Sequence, residues 1–172
     1  WTPRKSEDIR LPEFPPISGI DIELIDKSGL KQSQIRFGHK GIKRTNPDFL
    51  SLRVANTILG GAFASRLVDE IREKRGLTYS IYSNFDARLA EGPFVISTFT
   101  RHDKVGETIQ ETLNVLKKFK GSGVSQTEVK EAKALLKGMF PRALETPESV
   151  AQNLLILRYY GISDSYLTDY LS

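Results

Sequence analysis

NPDFLSLRVANTILGGAFASRLVDEIREKRGLTYSIYSNF, residues 46 to 85, predicts two successive helices and then a strand. Asn46 is a favourable helix N-cap, and Pro47 suits the first helical position. The following apolar side chains surround most of the first helix: Phe49, Leu50, Leu52, Val54, Ala55, Ile58 and Leu59. A helix that is apolar all round is normally buried, so we expect it to lie deep in the core.

A pair of glycines, Gly60-Gly61, ends this first helix. The second helix is predicted by Phe63, Leu67 and Ile71, which recur at intervals of four. It should end at Gly76, since basic residues fill its last turn and glycine is the preferred residue just beyond a helix. The two glycines therefore predict a sharp junction between helices.

Four further segments predict strands. Ile20, Ile22 and Leu24 alternate with acidic residues, and residues 32–40 alternate again after a turn, so these two segments could form a hairpin. Residues 78–87 and 93–101 are rich in aromatic and β-branched side chains and predict a second pair.

Three helices are predicted beyond these strands. Ser125 and Glu128 form a capping box at the start of the middle helix, and Thr146-Pro147 opens the last one, which should end at Gly161. Because strands and helices are segregated along the chain, we predict an α+β fold in which helices cover one face of a mainly antiparallel sheet.

The domain organisation follows from proline and turn residues. Residues 1–19 contain four prolines among charges and predict a linker from a preceding domain, whereas residues 20–172 predict one α+β domain. The last residues lack a helix stop signal, so we expect the domain to continue beyond residue 172.

Composition excludes several classes of function. The net charge is +4, but basic and acidic residues are interleaved and no nucleic-acid-binding motif is present, so nucleic acid is not an expected partner. The absence of cysteine excludes disulfides and thiolate chemistry. No apolar run is long enough for a transmembrane helix.

A self-contained catalytic or metal site is not predicted. His39 and His102 are the only histidines, and neither has a second ligand at helical spacing. No G-x-S-x-G nucleophile motif occurs, and Gly60-Gly61 is not followed by the Lys-Ser/Thr of a phosphate-binding loop.

Arg72 and Tyr79 are the candidate functional residues. The chain reverses at Gly76, so the side chains of Arg72 and Tyr79 could project into one region and hold a peptide carbonyl between a guanidinium and a phenol. The alternative is structural: Arg72 would pair with Asp69, and Tyr79 would be a half-buried strand residue.

Two longer matches carry a family resemblance. Residues 59–67 (LGGAFASRL) and 70–80 (EIREKRGLTYS) resemble the pitrilysin-type metallopeptidases, the family of insulysin and the mitochondrial processing peptidase. The similarity extends through Gly92-Pro93-Phe94 and the helix at Thr146-Pro147, and covers most of residues 20–170. Members pair two homologous α+β domains around a chamber; one holds zinc on His-x-x-Glu-His, and the other supplies an arginine and a tyrosine seven residues later.

This chain lacks His-x-x-Glu-His but has the arginine–tyrosine spacing at Arg72 and Tyr79. The resemblance implies the second, zinc-less domain of a zinc endopeptidase, with Tyr79 donating to the scissile carbonyl and Arg72 binding the peptide backbone. Zinc would be bound by another domain or subunit, and the isolated chain would be inactive. Relatives that have lost zinc imply an alternative, a scaffold or substrate-recognition subunit. Bacterial relatives are often exported, so export is possible for this chain, but the sequence does not fix its compartment.

Overall fold

The computed structural model describes residues 15–169, which fall into two units divided between Leu30 and Lys31. The described part of the first unit contains no helix and no strand. Ile20, Ile22 and Leu24 are 84–92% exposed, so the strand predicted there is wrong. An alternating pattern forms a strand only where the backbone finds a partner and one face is covered. The predicted hairpin is likewise absent among residues 15–169, because residues 32–40 pair with a later strand.

The second unit is built on a three-stranded antiparallel sheet. Its strands are β1 (Gln32–Lys40), β2 (Ile81–Phe85) and β3 (Pro93–Arg101), in the order β1-β3-β2. The predicted pairing of the last two strands is confirmed, although β2 starts later than expected. The hydroxyl of Thr78 accepts a hydrogen bond from the Ser80 amide at 3.1 Å, and this local turn keeps residues 78–80 out of the strand.

The register of the sheet separates a buried face from an open one. Phe94, Ile96, Thr98 and Thr100 alternate along β3 on the buried face, and Ile35 of β1 lies opposite Thr98. The residues between them point the other way, as the period of a strand requires. This alternation gives the sheet a single core-facing side.

The first helix is less buried than its sequence suggests. It comprises α1 (Phe49–Asn56) and continues in wider, π-type turns over Thr57–Gly61. None of the residues of α1 is buried, whereas Thr57, Ile58, Leu59 and Gly60 are. The expectation of deep burial is therefore wrong for α1 and holds only at the end of the helix, which packs on β2.

The start of this helix also differs from the prediction. The helix begins after Asp48, not after Asn46, and no side chain caps it. The Asn46 side chain instead accepts a hydrogen bond from the Asp48 amide at 2.8 Å, forming a turn ahead of the helix. Pro47 consequently lies in that turn.

The second helix, α2 (Val68–Lys74), is entirely π-type. Leu67 and Ile71 are fully buried, as predicted, but Phe63 lies in the turn before the helix and is 73% exposed. The predicted end at Gly76 is confirmed: its φ is +60°, and its amide donates to the carbonyl of Arg72 at 3.0 Å. Glycine adopts this left-handed conformation without a Cβ clash.

The three later helices match the prediction. They are α3 (Val105–Ser122), α4 (Gln126–Met139) and α5 (Pro147–Tyr160), and a short α6 (Tyr166–Asp169) follows. Ser125 with Glu128 forms the expected capping box, and Thr146 and Gly161 cap the two ends of α5. No helix within residues 15–169 has the length and hydropathy needed to cross a membrane.

Helices and sheet share one core. Its buried members come from the end of the first helix, α2, β2, β3, α3 and the residues just before α2 and β2; they are Leu59, Leu67, Val68, Ile71, Leu77, Ile81, Phe94, Ile96 and Val115. Helices packing on the buried face of a mainly antiparallel sheet confirm the predicted α+β class.

Candidate functional site

The junction between the two helices is held against β2 at Gly60. A Cβ at this position would lie 2.5 Å from Ser83 Oγ and 2.7 Å from Leu67 Cδ1, so any larger residue would have to displace one of these side chains. Asn56 donates from Nδ2 to the Ser83 carbonyl at 3.0 Å and accepts from Ser83 Oγ at 2.6 Å. The helix end is thereby fixed on the strand.

A tight turn follows and divides its side chains between core and solvent. The Ser65 amide donates to the Ala62 carbonyl at 3.2 Å, which closes the turn. Ser65 is 1% exposed, whereas Phe63 is directed outward. The turn thus presents a large aromatic ring at the surface immediately before α2.

Arg66 anchors the same turn to the junction of α3 and α4. Its guanidinium makes two hydrogen bonds to the Glu128 carboxylate, at 2.6 and 2.8 Å, and one to the Gly123 carbonyl at 2.9 Å. The Arg66 hydrogen bond, the Ser125 backbone amide and the Ser125 hydroxyl together lower the pKa of Glu128 to about 2. Paired, charge-assisted bonds of this kind fix direction as well as distance.

The structure brings Arg72 and Tyr79 together. The guanidinium carbon of Arg72 lies 5.1 Å from the centre of the Tyr79 ring and 4.8 Å from the centre of the Phe63 ring. Both distances are within the range of cation–π contacts. We call Phe63, Arg72 and Tyr79 the aromatic–arginine cluster.

The alternative structural roles of these residues are not observed. Asp69 pairs with Lys74 at 2.7 Å, and Arg72 Nε lies 3.4 Å from the carboxylate of Glu73 instead. Tyr79 is 77% exposed and precedes β2, so it is not a half-buried strand residue. An exposed phenol beside a guanidinium leaves hydrogen-bond donors at the surface.

Hydroxyl groups of β3 hold the backbone on both sides of Tyr79. Thr100 Oγ1 donates to the Leu77 carbonyl at 2.5 Å, and Thr98 Oγ1 donates to the Ser80 carbonyl at 2.9 Å. Both threonines lie on the buried face of the sheet, so buried hydrogen bonds fix the backbone on either side of the exposed Tyr79.

The other charges at the end of α2 pair among themselves. Glu70 accepts from Lys74 at 3.2 Å and from Arg75 at 3.1 Å, and Arg75 also reaches Glu111 of α3 at 2.9 Å. The hydrogen bond from Lys74 is the main cause of the lowered pKa of Glu70. These pairs fasten the helix end to α3 beside Arg72.

Phe63 is the member of the cluster that the sequence predicts as part of the second helix. Its spacing of four from Leu67 indicated a helical position, but the helical period cannot begin before the turn ends. The signal that separates it is its place two residues after Gly60-Gly61, where the chain leaves the first helix.

The two histidines lie at opposite ends of the β1–β3 pair. His39 Nδ1 lies 2.7 Å from the Lys40 carbonyl oxygen, and His102 Nδ1 lies 2.8 Å from Ser33 Oγ. In the described part of the chain, no group of three or more histidine and carboxylate side chains could hold a metal ion.

The chain is similar to known proteins over most of its length. Residues 2–136 match the family model described as the peptidase M16 inactive domain. A crystal structure of a peptidase M16 inactive domain from Pseudomonas fluorescens is 34% identical with a TM-score of 0.75, covering 81% of this chain and 34% of that one.

Two curated relatives carry different names. A Bacillus subtilis protein named as an uncharacterized zinc protease, YmxG, is 33% identical over 130 residues, which are 74% of this chain and 31% of the relative. A Helicobacter pylori protein named non-peptidase homolog YmxG is 32% identical over 125 residues, 70% of this chain and 28% of the relative. The chain therefore spans about a third of the length of these relatives.

Proposed function

The chain belongs to the family of peptidase M16 inactive domains, the zinc-less part of proteins named zinc proteases, and from this we propose that it is the substrate-contacting half of a zinc endopeptidase. The observation that carries the proposal is the contact of Arg72 with Tyr79, in which a guanidinium and a phenol stand together at the surface. Both groups donate hydrogen bonds, and a peptide carbonyl accepts them.

In this function Tyr79 donates its phenolic hydrogen to the scissile carbonyl oxygen as negative charge develops there. A donor already placed for that charge lowers the barrier without reorganisation during the reaction. Arg72 binds a neighbouring carbonyl of the peptide backbone and keeps the scissile bond in register. The two residues thus have separate tasks, one in the transition state and one in binding.

The metal of such an enzyme must be held elsewhere. His39 and His102 lie at opposite ends of β1 and have no carboxylate cluster beside them, so residues 15–169 do not fit a zinc site. We therefore assign zinc to a homologous domain or subunit carrying His-x-x-Glu-His, where the metal would activate the attacking water. The partner of this chain would be that domain, and its substrate a peptide or unfolded segment.

The test is Tyr79→Phe in the full-length protein together with its zinc-bearing domain or subunit. The variant keeps the ring beside Arg72 and removes only the hydroxyl. We expect kcat for a fluorogenic peptide to fall about 10- to 1000-fold, the worth of one oxyanion donor. Tyr159→Phe, another exposed tyrosine, is the matched control and should leave kcat unchanged. An unaltered kcat in Tyr79→Phe contradicts the assigned role.

A scaffold or substrate-recognition subunit is the second candidate, and the name of the Helicobacter pylori relative favours it. The two candidates differ in whether a zinc-bearing domain works with this chain. The discriminating observation is a His-x-x-Glu-His motif in the full coding sequence or in a co-purifying subunit, with zinc measured in the purified assembly. A zinc-free assembly that binds peptides without cleaving them would establish the scaffold.

A further inference from the structure

Phe63 is an exposed ring that the core does not require. It lies in the turn between Ala62 and Ser65, and the inward contacts of that turn are made by Ser65 and Leu67. Leaving a phenylalanine in water forgoes the free energy that its burial would give. Core packing therefore does not explain why the turn holds a phenylalanine ring at the surface, whereas a surface contact can.

We propose that Phe63 is a positioning residue, which holds the guanidinium of Arg72 in the orientation that binds the peptide. The role rests on the proposed function of Arg72 and extends it to a residue outside the arginine–tyrosine pair. Its basis is the 4.8 Å separation between the Arg72 guanidinium carbon and the Phe63 ring centre, with Tyr79 as a second ring at 5.1 Å.

Contacts with two rings restrict the guanidinium while sparing its donors. The rings attract the cation through their faces, whereas the N–H groups of a guanidinium lie in its own plane and point away from its edges. Glu73 lies 3.4 Å from Nε and is itself largely exposed. Because the rings lie against the faces of the guanidinium, its in-plane N–H groups are the part that can donate to a carbonyl acceptor.

The support beneath Phe63 is rigid, which the positioning role requires. Gly60 packs on Ser83 at one end of the turn, and Arg66 is bonded to Glu128 and Gly123 at the other. A free arginine side chain loses rotamer entropy when it binds a ligand, and a side chain already ordered loses less. Phe63 should therefore improve peptide binding and leave the chemical step unchanged.

The experiment is a kinetic comparison in the full-length peptidase. Phe63→Leu keeps an apolar side chain and removes the ring, whereas the separate variant Phe63→Tyr keeps an aromatic ring. We expect Phe63→Leu to raise KM about two- to fivefold, the factor that corresponds to a cation–π attraction at an exposed site, with kcat unchanged. Phe63→Tyr should return KM to the wild-type value. Tyr159→Leu, which removes another exposed aromatic ring, should alter neither constant.

A second measurement needs no catalysis. In the 172-residue chain, 15N relaxation of Arg72 Nε should report greater side-chain motion in Phe63→Leu and wild-type motion in Phe63→Tyr. If Phe63→Leu changes neither KM nor the motion of Arg72, the positioning role is wrong. The proposed function is tested separately, by kcat of Tyr79→Phe. If Tyr79→Phe retains full kcat, the proposed function fails, and the relaxation data still decide whether Phe63 orders Arg72.

Discussion

The two sides of the junction between α1 and α2 are held in opposite ways. On the inner side, Gly60 packs on Ser83, and Arg66 is bonded to Glu128 at 2.6 and 2.8 Å. On the outer side, Arg72 meets Phe63 and Tyr79 through ring contacts of about 5 Å, and both rings are exposed to solvent. Folding should depend on the inner side, and peptide binding, under the proposed function, on the outer one.

The largest expected effect on stability is at Gly60. Gly60→Val would place side-chain atoms against Ser83 and Leu67, where even a Cβ lies 2.5 and 2.7 Å from its neighbours. We expect the free energy of unfolding to fall by about 3 kcal/mol, the upper range for overpacking. Urea denaturation of the 172-residue chain measures this free energy.

Gly138→Ala, where a Cβ meets nothing within 4 Å, is the matched control and should stabilise by about 0.5 kcal/mol. Equal stabilities would mean that the junction is not tightly packed.

A smaller loss is expected from Glu128→Gln, which removes the charge opposite Arg66. Hydrogen bonds to charged groups contribute about 1.5–3 kcal/mol, and this pair is partly exposed, so we expect a loss near 1.5 kcal/mol. Glu131→Gln on the same helix has no described ion pair and serves as the control. If Glu128→Gln and the control have the same free energy of unfolding, packing alone holds the turn and the ion pair contributes nothing measurable.

The same pair predicts a pH dependence. The pKa of Glu128 is about 2 in the folded chain, below its ordinary value of 4.5. Its contribution to stability is therefore complete above about pH 4.5 and is lost as the pH falls through 2. Denaturation midpoints measured between pH 2 and 6 should fall more steeply on acidification for the wild type than for Glu128→Gln. Parallel curves would contradict the lowered pKa.

The smallest effect on stability is expected on the outer side. Arg72→Gln removes the cation between two exposed rings and should change the free energy of unfolding by less than about 0.5 kcal/mol. Under the proposed function, the same variant of the full-length protein should raise KM, because a bound peptide would lose its guanidinium partner. A large loss of stability from Arg72→Gln would break the division between the two sides.

Sequence reasoning succeeded where a local signal and its structural effect coincide. Gly76 ends α2, Ser125 and Glu128 form the capping box, and β2 pairs with β3, as each local pattern predicted. The approach of Arg72 to Tyr79 could be anticipated because a left-handed glycine reverses the chain between them.

The failures arose where a pattern needed tertiary context. Ile20, Ile22 and Leu24 have the alternation of a strand but no strand is formed, since pairing depends on a partner and not on periodicity. The apolar first helix is buried only in its π-type end, beyond α1, and Phe63 was assigned to a helix that starts after it. Which apolar side chain is buried is decided by what packs on it, and a single sequence does not contain that.

The threonine hydroxyls of β3 attach the segment around Tyr79 to the sheet through side chains. The carbonyls of Leu77 and Ser80 accept hydrogen bonds from the hydroxyls of Thr100 and Thr98. Each tether can therefore be removed by a threonine-to-valine change without deleting a backbone rung of the β2–β3 ladder. The backbone order around Tyr79 can therefore be reduced stepwise, by removing one threonine hydroxyl at a time.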